Sequence, residues 1–459
     1  MFRSSRFLSL ALLTAPALPA ADVPPVPISV QCDWIRLPLA AANALIRQHL
    51  KSTGATALHD AVVAMLKTNA ATRLDVQSLL TSAGKYSKVV GITEKSYATE
   101  FDPPQLSQTL SVDGDWPYDM GIPACAGSYT FHNLGREVEV ETGLRQEGPP
   151  LQLRLAASWS EHLTEVPYGI GISFYPEPSF YEASVLADLH CASGVWQLAG
   201  LFTPPPDKKE EAETAPLPGD RVLLFARATA SGLKPHAPPP PDSEPAMRPV
   251  LVEWIEADTA LIADLLEATA DFTSAAGLRA SLEAPIAAGT AALIETAFVP
   301  MSGREQAKIS SVRWFAYVTE VDPAQVPQTL IVTNHTPAGS PLPGGGVSQP
   351  LMTPSFFNSY SGRELGTVLE VRCTPQDDGE TVSLELAAEL SALAGGDVFD
   401  QGVSEVPQPR YHSLYCTTQI AVRTGVPALA GLLDSSLPSG QSHPAVRTRK
   451  VLLFVTVLP

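Results

Sequence analysis

Apolar and polar residues alternate along most of this chain, which predicts β-strands with one buried face. Two such runs put three apolar side chains on one face: Val30, Cys32 and Trp34 in the first, and Val250, Val252 and Trp254 in the second. From about residue 73 onward the pattern is mainly that of strands. The clearest hairpin is "LGTVLEVRCTPQDDGETVSLELAAEL", where two alternating runs flank Asp378-Gly379, a dipeptide that tight turns prefer.

A helical period follows the first opening strand. It predicts two helices, one carrying Leu39, Ala42, Leu45, Ile46 and His49 and the other carrying Leu58, Val62, Met65 and Leu66. The second helix of the other half contains Pro285, which is expected to kink or shorten it because proline removes a backbone donor.

One segment occurs twice. "YATEFDPPQLSQTL" starts at Tyr97 and "YVTEVDPAQVPQTL" starts at Tyr317, and nine of the fourteen positions are identical. The offset of 220 residues also aligns Trp34 with Trp254 and Leu58 with Leu278. Further on, small length changes shift the offset, and the alignment pairs Gly135-Arg136-Glu137 with Gly362-Arg363-Glu364, "LQLRLAAS" with "VSLELAAE", and the two "VLLF" strands. The chain is therefore predicted to contain two similar domains.

The predicted fold class is α+β and β-dominated, and each domain has an opening strand, two short helices and a set of antiparallel hairpins. Residues 1–20 have the basic start, apolar stretch and small-residue end of a secretory signal peptide. Unit 1 is expected at 21–230, a proline-rich linker at 231–249 and unit 2 at 250–459. A second low-complexity segment, 203–220, is expected to be a solvated loop. The leader predicts an exported protein, periplasmic or associated with the outer membrane.

Charge narrows the set of partners. The formal net charge is −18 and no basic cluster occurs, which argues against nucleic acid and anionic membrane surfaces as partners. No small-molecule substrate is evident, so the expected partners are proteins, either envelope or secretion components or further copies of the chain.

The five cysteines do not form a recognisable disulfide or metal framework. Three of them align with valine in the other unit: Cys32, Cys191 and Cys416 correspond to Val252, Val422 and Val185. An exchange of cysteine for valine in a strand favours a small buried hydrophobe. The oxidation state of these three, and of Cys125 and Cys373, stays open at this stage.

The hairpin around Asp378-Gly379 resembles the C-terminal domain of bacterial secretins, the ring-forming outer-membrane channels of type II and type III secretion and of pilus systems. The family pattern is G-x-x-L-x-V, a proline, a glycine-containing turn and V-x-L-x-I-x-x-E-x-S. Its positions are matched by Gly366, Leu369, Val371, Pro375, Gly379, Val382, Leu384, Leu386, Glu389 and Ser391. The later segments "GVPALAGL" and "LLFVTVLP", and "GVWQLAGL" and "LLFARATA" in unit 1, are also similar to the family.

The departures from that family concern the channel. Ala199 and Ala430 stand where the family has the first glycine of a Gly-Gly-Leu step, and the long segment that secretins carry before the last strand has no counterpart. The corresponding connections, 160–177 and 391–408, show no strand run framed by aromatic girdles, so we expect short surface hairpins or loops there.

Candidate chemistry is sparse. Glu100 with Asp102, and Glu320 with Asp322, are carboxylates two residues apart that could serve as acid and base or hold a hard cation. The alternative is that Asp-Pro ends a strand and the acids face solvent, and this alternative is favoured because surface acids are the default. His59 aligns with Arg279, which suggests that the fold does not require it. No catalytic, cofactor-binding or metal-ligating residue is therefore assigned, and no cofactor is implied.

The leading hypothesis is an exported, non-enzymatic, secretin-like envelope protein that acts by protein–protein contact, in the assembly or support of a secretion or pilus-type machine. The alternative is a ring-forming secretin channel subunit, and an envelope hydrolase ranks third.

Overall fold

The structure is a computed structural model. It describes residues 26–50, 54–103, 105–106, 109–113, 121–122, 125–145, 150–168, 175–205, 219–230, 248–267, 275–301, 306–323, 329–333, 355–376, 378–399, 406–435 and 449–458. The leader, most of the linker and most of the segment 203–220 lie outside the described residues, so those expectations stay predictions.

Unit 1 contains eleven strands and two helices: β1 (Pro27–Pro38), α1 (Leu39–His49), α2 (Thr56–Leu66), β2 (Thr72–Ser82), β3 (Tyr86–Asp102), β4 (Gln105–Leu106), β5 (Thr109–Asp113), β6 (Gly121–Ile122), β7 (Cys125–Leu144), β8 (Leu151–Tyr168), β9 (Tyr175–Cys191), β10 (Trp196–Phe202) and β11 (Asp220–Ala230). Unit 2 contains β12 (Val250–Asp258), α3 (Thr259–Glu267), α4 (Ala276–Ser281), α5 (Glu283–Ala288), β13 (Ala291–Val299), β14 (Gln306–Asp322), β15 (Thr329–Thr333), β16 (Phe356–Pro375), β17 (Thr381–Phe399), β18 (Val406–Arg423), β19 (Ala428–Asp434) and β20 (Arg449–Val457). These counts refer to the described residues.

The predicted β-dominated fold is confirmed, and the two units repeat the same strand order. Sheet I runs β19-β20-β12-β13-β10-β11-β1-β2, and sheet II runs β18-β17-β16-β14-β9-β8-β7-β3, both antiparallel. Each unit contributes four neighbouring strands to each sheet. Register is repeated as well, because the β1–β2 ladder shifts after Trp34 and the β12–β13 ladder shifts after Trp254. The units therefore share one fold, and together they build two continuous sheets.

The chain packs in three layers. The facing sides of sheets I and II form the largest core, which draws side chains from both units, including Trp34, Trp254, Leu155 and Leu386. The helices cover the other side of sheet I, where Ile35 and Leu223 in unit 1 pack against α1 and α2. Sheet I is thus buried on both faces, which explains why its strands read "VLLF" rather than strictly alternating.

The helices follow the predicted period. Ile46 of α1 and Val62 of α2 are buried, and Leu39–His49 and Thr56–Leu66 are the observed bounds. In unit 2 the second helix is interrupted at Leu282, between α4 and α5, close to Pro285 as expected. Among the described residues no helix is both long and apolar enough to cross a bilayer.

Two glycines mark the place where strands of sheet II separate. The β7–β8 ladder ends at Gly135–Ser160 and the β16–β17 ladder ends at Gly366–Ser391. Gly135 has φ +133° and Gly366 has φ +137°, values that favour glycine. The equivalent of Gly135 is therefore Gly366, and the sequence pairing of 135–137 with 362–364 was wrong by four residues.

Beyond these glycines, the long strands continue as two-stranded ribbons. The β8–β9 ribbon extends to Tyr168 and Tyr175, and the β17–β18 ribbon extends to Phe399 and Val406. Of the expected short surface hairpins or loops, the described residues 160–168 and 175–177, and 391–399 and 406–408, form paired hairpin strands that belong to hairpins longer than expected. Tyr168 and Tyr175 are buried against unit 2, where the two hydroxyls each donate a 2.7 Å hydrogen bond, to the carbonyl oxygens of Ala316 and Phe357 respectively.

Candidate functional site

The two acidic boxes come together at the tips of the ribbons. Asp102 ends β3 and Asp322 ends β14, as the strand-end alternative predicted. Glu100, Asp102 and Glu320 line one open cavity of about 500 Å³, whereas Asp322 does not. Glu100 accepts a 2.8 Å hydrogen bond from the Ser128 hydroxyl. Within the part of the chain that the structure describes, no group of three or more His, Cys, Asp or Glu is arranged to hold a metal ion.

The buried cysteines behave as hydrophobic residues. Cys32, Cys191 and Cys373 are buried free thiols, and burial raises the pKa of each to about 12. Cys416 is half-buried and Cys125 is exposed, and both are free thiols in the structure. The valine exchanges in the repeat thus reflect packing.

His59 occupies the same structural position as Arg279. His59 Nε2 lies 3.2 Å from Asp33 Oδ2, and the His59 ring stacks on Trp196 with ring centroids 4.1 Å apart. In unit 2, the Arg279 guanidinium binds Glu253 Oε1 at 2.9 Å. Each unit therefore pairs an acid on its opening strand with a nitrogen group from its second helix, and the exchange of His for Arg conserves this contact.

A polar and aromatic cluster lies between the β3–β7 and β8–β9 ribbons of unit 1. Phe180 is buried there and stacks on His132, with ring centroids 4.0 Å apart. His132 Nε2 lies 2.9 Å from the Ser160 hydroxyl, and burial lowers the pKa of this histidine. Glu177 is buried nearby; burial, with a smaller effect of the Glu165 charge, raises its pKa to about 8.

We expect Glu177→Gln to stabilise the protein at pH 8 by roughly 2–4 kcal/mol and to change its stability little at pH 4. The folded state favours the protonated Glu177 carboxyl, so this group stabilises the fold below its unfolded pKa. That stability is lost as the pH rises from the unfolded value toward about 8. Urea denaturation followed across this pH window measures the effect.

Unit 2 already has glutamine at the position equivalent to Glu177. Gln408 is the equivalent of Glu177, and its side-chain amide donates a 2.9 Å hydrogen bond to the carbonyl oxygen of Val318. Glu94→Gln serves as the control, because Glu94 is exposed and is expected to change stability by less than about 1 kcal/mol at either pH. Equal stabilisation by Glu177→Gln at pH 4 and pH 8 would contradict the assignment.

The two units meet head to tail, at what we call the internal junction. It consists of β9 and β10 of unit 1 against β14 and β13 of unit 2. In sheet II, the ladder runs from Lys308–Leu186 to Trp314–Phe180, and in sheet I Leu201 pairs with Phe298. Strands β5 and β15, which carry equivalent residues, pair in parallel across the same boundary. The junction thus joins one edge of a unit to the opposite edge of its copy.

A buried ion pair lies at the internal junction. Arg221 Nη2 of β11 lies 2.6 Å from Glu295 Oε1 of β13, and neither side chain is exposed to solvent. Glu295 Oε2 accepts hydrogen bonds of 2.9 Å from the hydroxyls of Thr203 and Thr367. A second contact joins Arg47 of α1 to Glu253 of β12. Both ion pairs therefore join a residue of unit 1 to a residue of unit 2.

Strands β2 and β3 form the outer edge of unit 1, and β18 and β19 form the outer edge of unit 2. No described strand pairs with the outer side of these four strands. Seven of the twelve large apolar side chains that are exposed in the described residues lie on them: Val76, Leu80, Tyr86, Val90, Ile92, Tyr415 and Leu432. A long edge strand with apolar side chains is a template for pairing with another chain.

The sequence alone did not identify these edges or the buried ion pairs. Glu253 lies between Val252 and Trp254 in "VLVEWIEAD", and Glu295 lies in "AALIETAFV", where all residues except Glu295 and Thr296 are apolar. An acid in a strand that is apolar on both faces is a signal of a buried, partnered charge.

No protein-family model matches the chain, and no curated protein matches it.

Proposed function

We propose that this protein is an exported, non-catalytic structural protein of the cell envelope, which acts by protein–protein contact through the outer edges of its two sheets. The observation that carries the proposal is the concentration of exposed apolar side chains on β2, β3, β18 and β19. Pairing by strand addition uses the unpaired backbone groups of such edges for affinity and the side chains for specificity.

The secretory leader and the resemblance to secretins support an envelope role. The acidic composition favours a protein partner over a nucleic acid. The repeated acids at Glu100 and Glu320 fit strand ends at the ribbon tips, and the partnered charges at Glu253 and Glu295 fit structural roles.

The mass of the native particle, extracted from its own cells without denaturant, tests this function. We expect a particle well above the 48.7 kDa of the single chain. Substitution of Val90→Lys together with Ile92→Lys is expected to reduce that mass, because charges on an edge strand oppose pairing. Both residues are exposed, so the chain should still fold.

The matched control is Tyr129→Lys together with Phe131→Lys. These two residues are also exposed and also two positions apart, but they lie on β7, away from the outer edges. A native particle with the mass of one chain would contradict the proposal. So would equal effects of the β3 and β7 substitutions on the mass of the particle.

A further inference from the structure

We propose that the outer edge of unit 2 pairs with the outer edge of unit 1 in a second copy of this chain, in the register of the internal junction. This inference rests on the proposed function and names the partner. The chain already contains one such contact, since β13 and β14 of unit 2 pair with β10 and β9 of unit 1. Their equivalents, β2 and β3 at one end and β19 and β18 at the other, have no described partner.

The internal junction fixes the residues that would meet. Equivalent residues of β3 and β14 are 220 positions apart in the sequence, and equivalent residues of β9 and β18 are 231 positions apart. Ser310 lies opposite Ser184 in the junction, with the two hydroxyl oxygens 2.9 Å apart. By these offsets, Ser310 is equivalent to Val90 and Ser184 is equivalent to Tyr415. In the proposed contact, Val90 of one copy therefore lies opposite Tyr415 of the next, and these two exposed apolar side chains would cover each other. Cross-strand pairs of this type stabilise antiparallel ladders.

Apolar residues that are buried at the internal junction have exposed equivalents on the outer edges, as this pairing requires. Val312 is 5% exposed at the junction, whereas its equivalent Ile92 on the outer edge is 39% exposed. Leu201 is 3% exposed at the junction, and its equivalent Leu432 is 44% exposed. Both outer edges therefore keep large apolar residues at positions that the same contact buries inside the chain.

Charge is also complementary. The junction pair Arg221 and Glu295 corresponds to Lys450 and Asp75 at the two outer edges, so a cation again meets an acid. The second junction contact has no such counterpart, because Arg47 and Glu253 correspond to Glu267 and Asp33, which are both acids. Arg73 carries the positive charge there. Glu267 stands at the end of α3, and Arg73 lies over Asp33 in unit 1 of the next copy.

This contact is heterologous, because the surface of one copy differs from the surface it meets. When the contact is repeated, an open assembly keeps a free unit 1 edge at one end and a free unit 2 edge at the other. The copies therefore form an open chain, or a ring if the rotation between units closes.

Disulfide trapping in the purified full-length protein tests the register. The background carries Cys125→Ser and Cys416→Val, the latter because unit 1 has valine at this position. The three remaining thiols are buried and have a pKa of about 12, so they should not react. Ser184→Cys with Ser310→Cys calibrates the geometry, since this pair should close within one chain.

Val90→Cys with Tyr415→Cys is expected to give a ladder of covalent multimers on mild oxidation. A mixture of chains that carry only Val90→Cys with chains that carry only Tyr415→Cys should stop at the covalent dimer. Either single variant alone should form no covalent multimer, so that denaturation without a reductant releases single chains. Ile92→Cys with Tyr415→Cys should not cross-link, because diagonal neighbours lie about 7–8 Å apart.

The mass of the reduced protein in solution provides a second measurement that needs no cysteine. Asp75→Lys is expected to shift the population toward the single chain, and adding Lys450→Asp should restore the multimer. The proposal is overturned if the calibration pair closes while Val90→Cys with Tyr415→Cys stays monomeric. It is also overturned if Val90→Cys alone dimerises, or if the reduced, unsubstituted protein is a single chain at all concentrations. A large particle in cell extracts beside a monomeric purified chain would leave the proposed function standing.

Discussion

Replacing Arg221 with alanine is expected to lower the free energy of unfolding by about 3–5 kcal/mol. The change leaves the Glu295 carboxylate inside the protein without its cation, and neither side chain of this pair reaches solvent. The hydroxyls of Thr203 and Thr367 would still donate to Glu295, but they do not neutralise its charge. Urea denaturation at pH 7 and at low protein concentration measures the loss.

Unit 2 provides the matched control. Lys450 is the equivalent of Arg221, and in the single chain its ammonium contacts the exposed Asp434 carboxylate. Exposed pairs contribute little, so Lys450→Ala should lower the stability of the monomer by less than about 1 kcal/mol. Similar losses for Arg221→Ala and Lys450→Ala would contradict the burial of the junction pair.

Much of each unit could be predicted because its signals are local. The alternation around Trp34, the helical period through Ile46 and the Asp378-Gly379 turn each depend on a few neighbouring residues. Because the two units are similar in sequence, the elements predicted in one unit are also predicted in the other. Local pattern and observed structure agree where a strand has one buried face or a helix has one apolar side.

The joining of the two units into common sheets could not be predicted in the same way. The pairing of Lys308 with Leu186 connects residues that are far apart in the sequence. The local alternation of apolar and polar residues does not indicate which distant strands pair. A repeat of 220 residues is equally compatible with two separate domains. The outer edges follow only from the strand order, so the surface on which the proposed function rests was invisible in the sequence.

The acidic box shows the opposite case. The sequence favoured a strand end for Asp102, and β3 does end there. The sequence did not indicate that Glu100 of unit 1 and Glu320 of unit 2 would line the same cavity. Their proximity follows from the head-to-tail contact, because that contact brings the ribbon tips of β3 and β14 together.

The alignment error at Gly135 has a physical origin. Gly362 and Gly366 both lie in β16, and residue type alone favoured Gly362, because it is followed by Arg-Glu as Gly135 is. Backbone conformation distinguishes them, since only Gly366 has a positive φ like that of Gly135. The ladder ends at this residue, and the Gly366 N–H is left for the Ser391 hydroxyl at 3.3 Å.

Replacing Gly366 with alanine is therefore expected to destabilise the protein by about 3 kcal/mol or more. Its φ is +137°, and a Cβ built there would lie 2.1 Å from the Ser311 carbonyl oxygen, so the backbone itself must move. Gly135→Ala should cost a similar amount, because its Cβ would lie 2.1 Å from the Gly91 carbonyl oxygen. The control is Gly425→Ala, at φ +79° with no atom within 4 Å of the added carbon, which should cost about 1–2 kcal/mol. Thermal and urea unfolding of the three variants provides the comparison. A loss for Gly366→Ala no larger than that for Gly425→Ala would contradict the close approach of Gly366 to the Ser311 carbonyl oxygen of β14.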